Sequence, residues 1–276
     1  MKENFLKNIP NISFTATKNF LLIAGPCVVE NREITFHTAL VLKTICHQLS
    51  IPFIFKASYR KANRTKGDSF RGIGDREALQ ILAQVREELS VPVITDVHET
   101  GEVDLVASVA DAIQIPAFLC RQTDLIVKAA QTGKPVNLKK GQFLSPLAMK
   151  FVCDKAASTG NRSLMVTERG TSFGYGDLVV DFRGIPLMQD WGYPVLLDVT
   201  HSLQKPNQES GVSGGDPALI ETMARSGIAA GVDGIFLETH PDPAQALSDG
   251  SNMLPLDKAR ELLEKLLKIH QLVKSF

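Results

Sequence analysis

Residues 75–97 read DREALQILAQVREELSVPVITDV, an amphipathic segment followed by a short β-branched run. Apolar side chains recur near the 3.6-residue period of an α-helix at Leu79, Leu82, Ala83 and Val85. Asp75 stands where it would cap that helix. The following run, VPVITDV, has the length of a strand and is mostly apolar, which predicts a strand buried on both faces.

The same pairing of an apolar run with a helical pattern recurs along the chain. The eight apolar runs are residues 20–25, 52–57, 91–97, 111–117, 134–140, 163–169, 194–200 and 233–239. Eight βα units match a closed (β/α)8 barrel, or TIM barrel, of about 250 residues. The predicted fold class is therefore α/β, with one TIM barrel domain over residues 1–276. A doubly wound open sheet is the alternative, although no GxGxxG motif follows the first run.

The first 19 residues precede the first of these runs and contain alternating Ile9, Ile12 and Phe14. This alternation predicts an N-terminal extension, residues 1–19, that forms a short hairpin and closes the bottom of the barrel. At the other end of the chain, residues 256–276 carry a wide stripe of leucines and predict a C-terminal amphipathic helix.

Charge and composition exclude several classes of partner. The 276 residues include 30 basic and 30 acidic side chains, so no net charge favours nucleic acid or an anionic membrane. The N-terminal MKENFLKNIPNISF lacks the apolar core of a signal peptide, and no apolar run approaches membrane-spanning length. Four separated cysteines without a CxxC pair indicate neither a disulfide framework nor a zinc finger. We therefore predict a cytoplasmic protein that binds neither nucleic acid nor membrane.

Polar residues cluster where the predicted strands end, which is where the functional groups of a TIM barrel gather. The residues at these ends are Cys27, Lys56, Asp96, His98, Gln114, Lys139, Lys140, Glu168, Arg169, Asp198, His201, Glu238 and His240. Such a set costs desolvation and repulsion unless a ligand or a metal compensates. The pattern therefore predicts a functional site at this end of the barrel.

Cations form one part of the predicted site. They are Lys56, Lys61, Arg64, Lys139 and Arg169, from the second, fifth and sixth strands and the loop after the second. Several positive groups around one opening favour a phosphate or a carboxylate, so we predict an anionic substrate. The alternative is that these side chains are solvated residues of the rim.

Cys27, His201, Glu238 and Asp249 form a second part. The first, seventh and eighth strands are neighbours in a closed barrel, so sulfur, nitrogen and oxygen ligands would meet there and suit a divalent transition metal. In the alternative interpretation Cys27 is a small buried hydrophobe and His201 a structural histidine.

The sequence leaves the roles of two further groups of residues open. Asp96 and His98 end the third strand and either transfer a proton, bind water or form an internal hydrogen bond. Gly211, Gly214 and Gly215 lie in QESGVSGGDP and predict a loop able to close over the site as a lid.

Eight motifs in order carry a family resemblance: IAGPC, FKASYRKANRT, PVITDVHE, IQIPAFLCRQTDL, NLKKGQF, ERGTSFGY, DVTHSLQ and LETHPDP. Together they resemble the 3-deoxy-D-manno-octulosonate 8-phosphate synthases from about residue 20 to the end of the chain. The resemblance implies a TIM barrel transferase, usually a homotetramer. It would condense phosphoenolpyruvate with D-arabinose 5-phosphate and water, release inorganic phosphate, and serve lipopolysaccharide biosynthesis in Gram-negative bacteria.

The resemblance also implies residue roles. Lys61, Lys139 and Arg169 would bind phosphoenolpyruvate with Gln114, and Asn63, Arg64 and Thr65 would hold the arabinose phosphate. We add Lys56 to the candidate substrate-binding residues. The candidate catalytic residues are Lys61, Asp96, His98 and His201.

Members of this family with a cysteine in the GPC motif require a divalent metal, whereas others have asparagine there and do not. Cys27 places this chain with the first group and implies a divalent metal ion (zinc, iron, manganese or similar) on Cys27, His201, Glu238 and Asp249. Two roles stay open for the metal, which either polarises the sugar aldehyde or orients and activates the attacking water.

One position departs from the family pattern, in which the loop reads SFDKANRS or SFDKANRT. Here it reads SYRKANRT, so Arg60 replaces an acid beside Lys61. The alternatives are a seven-carbon synthase that uses erythrose 4-phosphate, a catalytically silent barrel that binds sugar phosphates, and an enzyme in which Cys27 is incidental. The KANRT sequence at 61–65 argues against the first, whose loop typically reads KPRTS.

Overall fold

Eight parallel strands close into a barrel in a computed structural model that describes residues 5–64, 66–205 and 214–276. They are β1 (Leu21–Gly25), β2 (Phe53–Lys56), β3 (Val93–Asp96), β4 (Ala112–Ile115), β5 (Val136–Lys139), β6 (Leu164–Glu168), β7 (Val195–Asp198) and β8 (Gly234–His240). Neighbouring strands pair in chain order, and β1 pairs with β8 from Leu21 opposite Gly234 to Gly25 opposite Glu238. The predicted TIM barrel is confirmed, and the open sheet is excluded.

Helices follow the strands and cover the outside of the barrel. They are α1 (Arg32–Leu49), α2 (Asp75–Leu89), α3 (Val103–Val109), α4 (Thr123–Gln131), α5 (Met149–Ala157), α6 (Gly184–Gln189), α7 (Ile220–Ala229) and α8 (Ala259–Val273). Asn31 caps α1 by accepting a hydrogen bond from the Ile34 amide at 2.8 Å. The predicted cap at Asp75 is wrong, because Gly74 precedes α2 and Asp75 is its first residue.

Side chains of the strands alternate between two apolar cores, as the two-residue period of a strand requires. On β1, Leu22 and Ala24 pack outward under the helices, whereas Leu21 and Ile23 point into the barrel. The inner core also contains Ile54, Ile94, Ala112, Met165, Leu196 and Phe236. Polar side chains become frequent towards the carboxyl ends of the strands, so the functional groups lie directly above this packed core.

The N-terminal extension closes the bottom of the barrel, but the predicted hairpin is wrong for residues 5–19. Residues 5 and 6 are helical and the others form turns and irregular backbone without a strand, with Asn11, Phe14 and Lys18 at positive φ. Phe5 and Ile9 are buried in the inner core, and Asn8 donates a hydrogen bond to Ser163 Oγ at 2.8 Å. The left-handed residues break the alternation that a strand needs, and the apolar side chains pack as a plug instead.

A short antiparallel hairpin and a further pair of antiparallel segments extend the loops above the barrel. Residues Thr171–Phe173 pair with Asp177–Val179 after β6, and Gln204–Lys205 pair with Gly214–Gly215 after β7. The predicted lid falls mostly on residues 206–213, including Gly211, which lie outside the described residues. Within the described ranges, no helix has both the length and the apolarity needed to cross a bilayer.

Candidate active site

A cavity of about 720 Å³ opens at the carboxyl ends of the strands. The predicted residues that line it are Lys56, Lys61, Asn63, Arg64, Asp96, His98, Gln114, Lys139, Arg169, His201 and Asp249. Cys27 and Glu238 are fully buried and contact residues of the cavity wall. Thr65 lies outside the described residues. The structure therefore brings the predicted side chains together at one end of the barrel.

Lys56 at the end of β2 forms a buried ion pair with Glu238 on β8, with Nζ 2.9 Å from Oε1. Its Nζ also donates to the Cys27 carbonyl at 3.2 Å and to Ser58 Oγ at 3.1 Å. Burial disfavours the ammonium, but Glu238 and Asp96 outweigh it and raise the pKa of Lys56. The same pairing, together with His201, holds the pKa of Glu238 well below its usual range despite burial. Both groups are therefore charged.

Three potential metal ligands lie close together here, and one of them is the Glu238 of this ion pair. Ligand atoms of Cys27, Glu238 and Asp249 all lie within 4.8 Å of one another. Cys27 Sγ is 2.9 Å from Ser248 Oγ and donates to Asp249 Oδ2 at 3.2 Å. The predicted fourth ligand, His201, stands outside this compact group, although its Nε2 is 3.7 Å from Glu238 Oε2.

This donor set fits a divalent transition metal. Glu238 Oε2 is buried and has no hydrogen-bond partner, so a carboxylate oxygen is left for another ligand. Burial and the neighbouring Glu238 raise the pKa of the Cys27 thiol, and a bound cation is what would favour its thiolate. Sulfur, carboxylate and imidazole donors are typical of zinc and iron sites.

Asp198 orients His201 and Lys139 from the end of β7. Its carboxylate is fully buried and accepts hydrogen bonds from the amides of Thr200 at 3.0 Å and His201 at 2.8 Å. His201 Nδ1 lies 2.8 Å from Asp198 Oδ2, and that contact leaves Nε2 facing Glu238. Lys139 forms an ion pair with the same oxygen and stands 3.5 Å from the centre of the Phe236 ring.

The pKa values of Asp198 and Lys139 are both lowered, but for different reasons. Burial would raise the pKa of Asp198, but His201 and Lys139 outweigh it and hold that pKa far below its usual range. Burial lowers the pKa of Lys139, and the attraction of Asp198 offsets only part of this effect. Lys139 is thus a desolvated cation beside the cavity, where its charge acts strongly on a bound anion.

Asp96 accepts hydrogen bonds on both carboxylate oxygens, from Ser58 Oγ and from Gln114 Nε2. Asn137 fixes the Gln114 amide by donating to its Oε1 at 2.8 Å, and Thr167 fixes Asn137 at 2.7 Å. Lys56 and Lys61 hold the pKa of Asp96 well below its usual range, against the effect of burial. These contacts favour the internal hydrogen bond over proton transfer for Asp96.

His98 faces the same cavity and has a different environment. Its amide donates to Glu102 Oε2 at 3.0 Å, and Nδ1 lies 3.5 Å from the same oxygen. Burial lowers the pKa of His98, and the charges of Arg60 and Lys61 lower it further, although Asp96 opposes them. A neutral imidazole at the cavity wall suits a water-binding or proton-accepting role.

The loop after β2 brings two cations over the cavity. Lys61 Nζ donates to Ser58 Oγ at 2.9 Å. Arg64 donates through Nε to the Phe70 carbonyl at 3.1 Å and through Nη2 to Ser248 Oγ, with Nη1 3.7 Å from Asp249 Oδ1. Across the cavity, the buried Arg169 donates to Gln204 Oε1 at 2.8 Å.

Some residues at the strand ends point elsewhere. Lys140 is buried outside the cavity lining and donates to the carbonyls of Leu144 and Gly170 at 3.1 and 3.2 Å. His240 contacts Glu30, with Nε2 3.6 Å from Oε2. Sequence reasoning missed Ser58, Ser248 and Gln204, which contact the predicted side chains. These residues carry no charge. Ser58 follows the end of β2 by two residues and Ser248 precedes Asp249, whereas Gln204 stands six residues beyond the end of β7.

Comparisons with known proteins agree with this geometry. The sequence model described as DAHP synthetase I family matches residues 6–275. The chain is 54% identical to a 2-dehydro-3-deoxyphosphooctonate aldolase of Dichelobacter nodosus, over 93% of this chain and 92% of that protein. A protein of the same name from Azoarcus sp. is 54% identical over 94% and 93%, and one from Geotalea uraniireducens is 51% identical over 97% and 98%.

Proposed function

Since the chain belongs to the DAHP synthetase I family and to its 2-dehydro-3-deoxyphosphooctonate aldolases, we propose that its cavity condenses phosphoenolpyruvate with D-arabinose 5-phosphate and water. The products are 3-deoxy-D-manno-octulosonate 8-phosphate and inorganic phosphate. The reaction would serve lipopolysaccharide biosynthesis in the cytoplasm. These aldolases are the synthases that the eight sequence motifs resemble.

The observation that carries the proposal is the grouping of Lys61, Arg64, Lys139 and Arg169 around one cavity of about 720 Å³. The two substrates bring two phosphates and a carboxylate into one site, and these anions need several cations. Lys56 and Lys139 are paired with the buried carboxylates of Glu238 and Asp198. Part of the positive charge around the cavity is therefore already balanced within the protein.

The positions of the side chains support a division of the cavity between the two substrates. Lys139, Arg169 and Gln114 are buried deep in it and would hold phosphoenolpyruvate together with Lys61. The loop that carries Asn63 and Arg64 would hold the phosphate of arabinose 5-phosphate near the rim, with Thr65 as a further candidate. Arg64 would exchange its contact with Ser248 for that phosphate.

The chemistry then follows from position and charge. C3 of phosphoenolpyruvate attacks the sugar aldehyde, water adds at C2, and the resulting hemiketal phosphate loses phosphate by cleavage of its C–O bond. Desolvated Lys139 and Arg169 stabilise the anionic groups throughout. His98, neutral at the cavity wall, would hold the attacking water or accept its proton. Asp96 fixes Gln114 and Ser58 through hydrogen bonds.

Cys27, Glu238 and Asp249 would hold a divalent transition metal, with His201 Nε2 turned towards the same point. When bound, such an ion supplies Lewis-acid chemistry to the aldehyde or to the water. Within this chain, Asp198 keeps His201 in the orientation that presents Nε2. Lys56 donates to Oε1 of Glu238 and so balances the charge of this carboxylate.

Phosphate release tests the proposal. We expect phosphate to form when phosphoenolpyruvate and arabinose 5-phosphate are both present, to stop after treatment with a chelator, and to return with a divalent metal. Release at least as fast with erythrose 4-phosphate would replace the proposal with a seven-carbon synthase. No release with either sugar, with metal restored, would leave a barrel that only binds sugar phosphates. Activity indifferent to the chelator would keep the synthase and remove the metal.

We also propose that the protein assembles as a homotetramer through an exposed apolar face. The face consists of Phe118, Phe143, Leu147, Phe151, Phe173 and Tyr175, each at least half exposed. The hairpin after β6 joins the loop after β5 through the Ser172 amide, which donates to the Gln142 carbonyl at 2.9 Å, so Phe143 and Phe173 lie on adjoining segments. Phe151 lies on α5, which contacts α4. A patch of this kind beside a functional site is typical of an interface between subunits.

Replacing Phe151 by aspartate is expected to weaken this assembly, because Phe151 is 71% exposed and a charge within the apolar face would have to be desolvated. Sedimentation velocity should show a tetramer for the wild type and smaller species for the variant at the same concentration. Leu272→Asp is the matched control, since Leu272 is also exposed but lies near the end of α8. A wild type that sediments as a monomer would contradict the proposal.

A further inference from the structure

Arg60 stands next to the substrate-binding loop but does not line the cavity. Its guanidinium makes two ion pairs, with Nη1 2.9 Å from Asp75 Oδ2 and Nη2 in contact with Glu102 Oε1. The Arg60 side chain is only 24% exposed. A planar guanidinium can hold two carboxylates at once in a fixed geometry, which an ammonium cannot do as well.

The two partners belong to different parts of the barrel. Asp75 begins α2 and therefore marks the end of the loop that starts at Arg60. Glu102 lies in the loop after β3, where it accepts hydrogen bonds from the Tyr59 hydroxyl and the His98 amide. Arg60 thus connects the loop after β2 both to its own helix and to the neighbouring loop that carries His98.

The loop also closes on itself at its base. The Lys61 amide donates to the Arg71 carbonyl at 2.7 Å, and Arg71 Nε donates to the Lys61 carbonyl at 3.4 Å. Gly72 has a φ of 140°, and a Cβ there would stand 3.1 Å from the Tyr59 carbonyl. The two ends of the loop are therefore in close contact beside Arg60. The ion pairs that hold the Arg60 side chain consequently hold both ends of the loop.

We propose that Arg60 is a positioning residue that fixes the base of the substrate loop to Asp75 and Glu102, and so holds Lys61 and Arg64 over the cavity. This inference depends on the proposed function in one respect only, which is the identity of the ligand that the loop holds. A loop that is ordered before the ligand arrives loses less conformational entropy on binding. The ion pairs of Arg60 therefore act on the affinity for the sugar phosphate rather than on the chemical step.

Steady-state kinetics of Arg60→Met measure this effect. We expect KM for arabinose 5-phosphate to rise roughly fivefold to tenfold, with kcat within about twofold of the wild type. Arg60→Lys should recover part of the loss, because it restores the charge without the fork geometry. Arg76→Met is the matched control: Arg76 is an exposed cation on α2, so its removal makes the same charge change nearby.

Removing a cation near a phosphate site raises KM by itself, and a second pair of variants separates that effect from anchoring. Asp75→Asn and Glu102→Gln each remove a negative charge, which would lower KM if only the overall field mattered. If anchoring matters, both variants raise KM in the same direction as Arg60→Met. The double variant Arg60→Met, Asp75→Asn should then be less than additive, because both changes break one contact.

Limited trypsin digestion tests the anchor without any activity. The loop contains Lys61, Arg64, Lys66 and Arg71, and Asp75→Asn retains all of these cleavage sites. We expect cleavage after Arg64 or Lys66 to be several times faster in Asp75→Asn and Arg60→Met than in the wild type or Arg76→Met. This holds even if the wild type proved inactive with both sugars, which would refute the proposed function alone. Cleavage at the wild-type rate, or opposite changes of KM in the Arg60 and Asp75 variants, would overturn the inference.

Discussion

Replacing Lys139 by methionine is expected to lower kcat/KM for phosphoenolpyruvate by about 10²- to 10³-fold, the usual effect of losing one desolvated group that stabilises charge in the reaction. Lys139 is only 5% exposed, lines the cavity and forms an ion pair with Asp198. Methionine keeps most of the volume and removes the charge. Phosphate release under saturating arabinose 5-phosphate measures the loss.

The variant also tests stability, because Asp198 would lose one partner in a fully buried position. Two backbone amides and His201 still donate to that carboxylate, so we expect a cost of about 3 kcal/mol, at the low end for a broken buried pair. Denaturant unfolding measures this value, and the kinetics must be done on protein shown to be folded.

Lys140→Met is the matched control for Lys139. Lys140 is the next residue, is fully buried, and pairs with Glu168 at 3.3 Å, but it does not line the cavity. We expect it to lose similar stability while the folded fraction retains kcat/KM within about threefold. Equal losses of activity in both variants would show that Lys139 acts through the fold and not on the substrate.

Replacing Cys27 by alanine is expected to weaken binding of a divalent transition metal by at least about 100-fold, since even residues that only support a ligand contribute up to that factor. The variant would keep the carboxylates of Glu238 and Asp249 but lose the sulfur donor. Metal bound per chain, measured by mass spectrometry after equilibration with zinc or iron and removal of free ion, is the first measurement. Phosphate release should fall in parallel.

Cys46→Ala provides the comparison, because Cys46 is also a buried thiol whose pKa burial raises, but it lies in α1 away from any acidic cluster. We expect it to bind metal like the wild type. If Cys27→Ala bound as much metal as Cys46→Ala, the donor group would have to be reassigned and Cys27 would be a packing residue.

The barrel could be predicted from sequence because its strands are buried on both faces and its helices are amphipathic, which are patterns that local sequence records. The N-terminal extension could not. Ile12 and Phe14 have the spacing of a strand, but Ile9 stands three residues before Ile12 and is out of that period. Positive φ at Asn11 and Phe14 marks turns instead, and such turns have no strong signal without glycine.

The candidate site could be predicted because charged residues stand at the strand ends. The same signal neither separates neighbouring charged residues nor finds neutral ones. Lys140 and Lys139 are adjacent in sequence and point to opposite sides of the barrel wall, so only the alternation of side chains along β5 separates them. Ser58 and Ser248 contact several charged side chains but are small and neutral. The contacts of Arg60 with Asp75 and Glu102 depend on how two loops pack, which sequence spacing does not record.

Because Phe5 and Ile9 fill the lower end of the barrel, the cavity is a dead end within the part of the chain that the structure describes. Molecules enter and leave by the same opening, so the order of arrival is set by depth. If phosphoenolpyruvate binds at Lys139 and Gln114 and the sugar phosphate at Arg64, as proposed above, the deeper substrate would have to bind first, and the one at the rim would then block its exit. On the same assignment, inorganic phosphate formed at the deep end would leave only after the rim has cleared, so the shape of the cavity would slow product release.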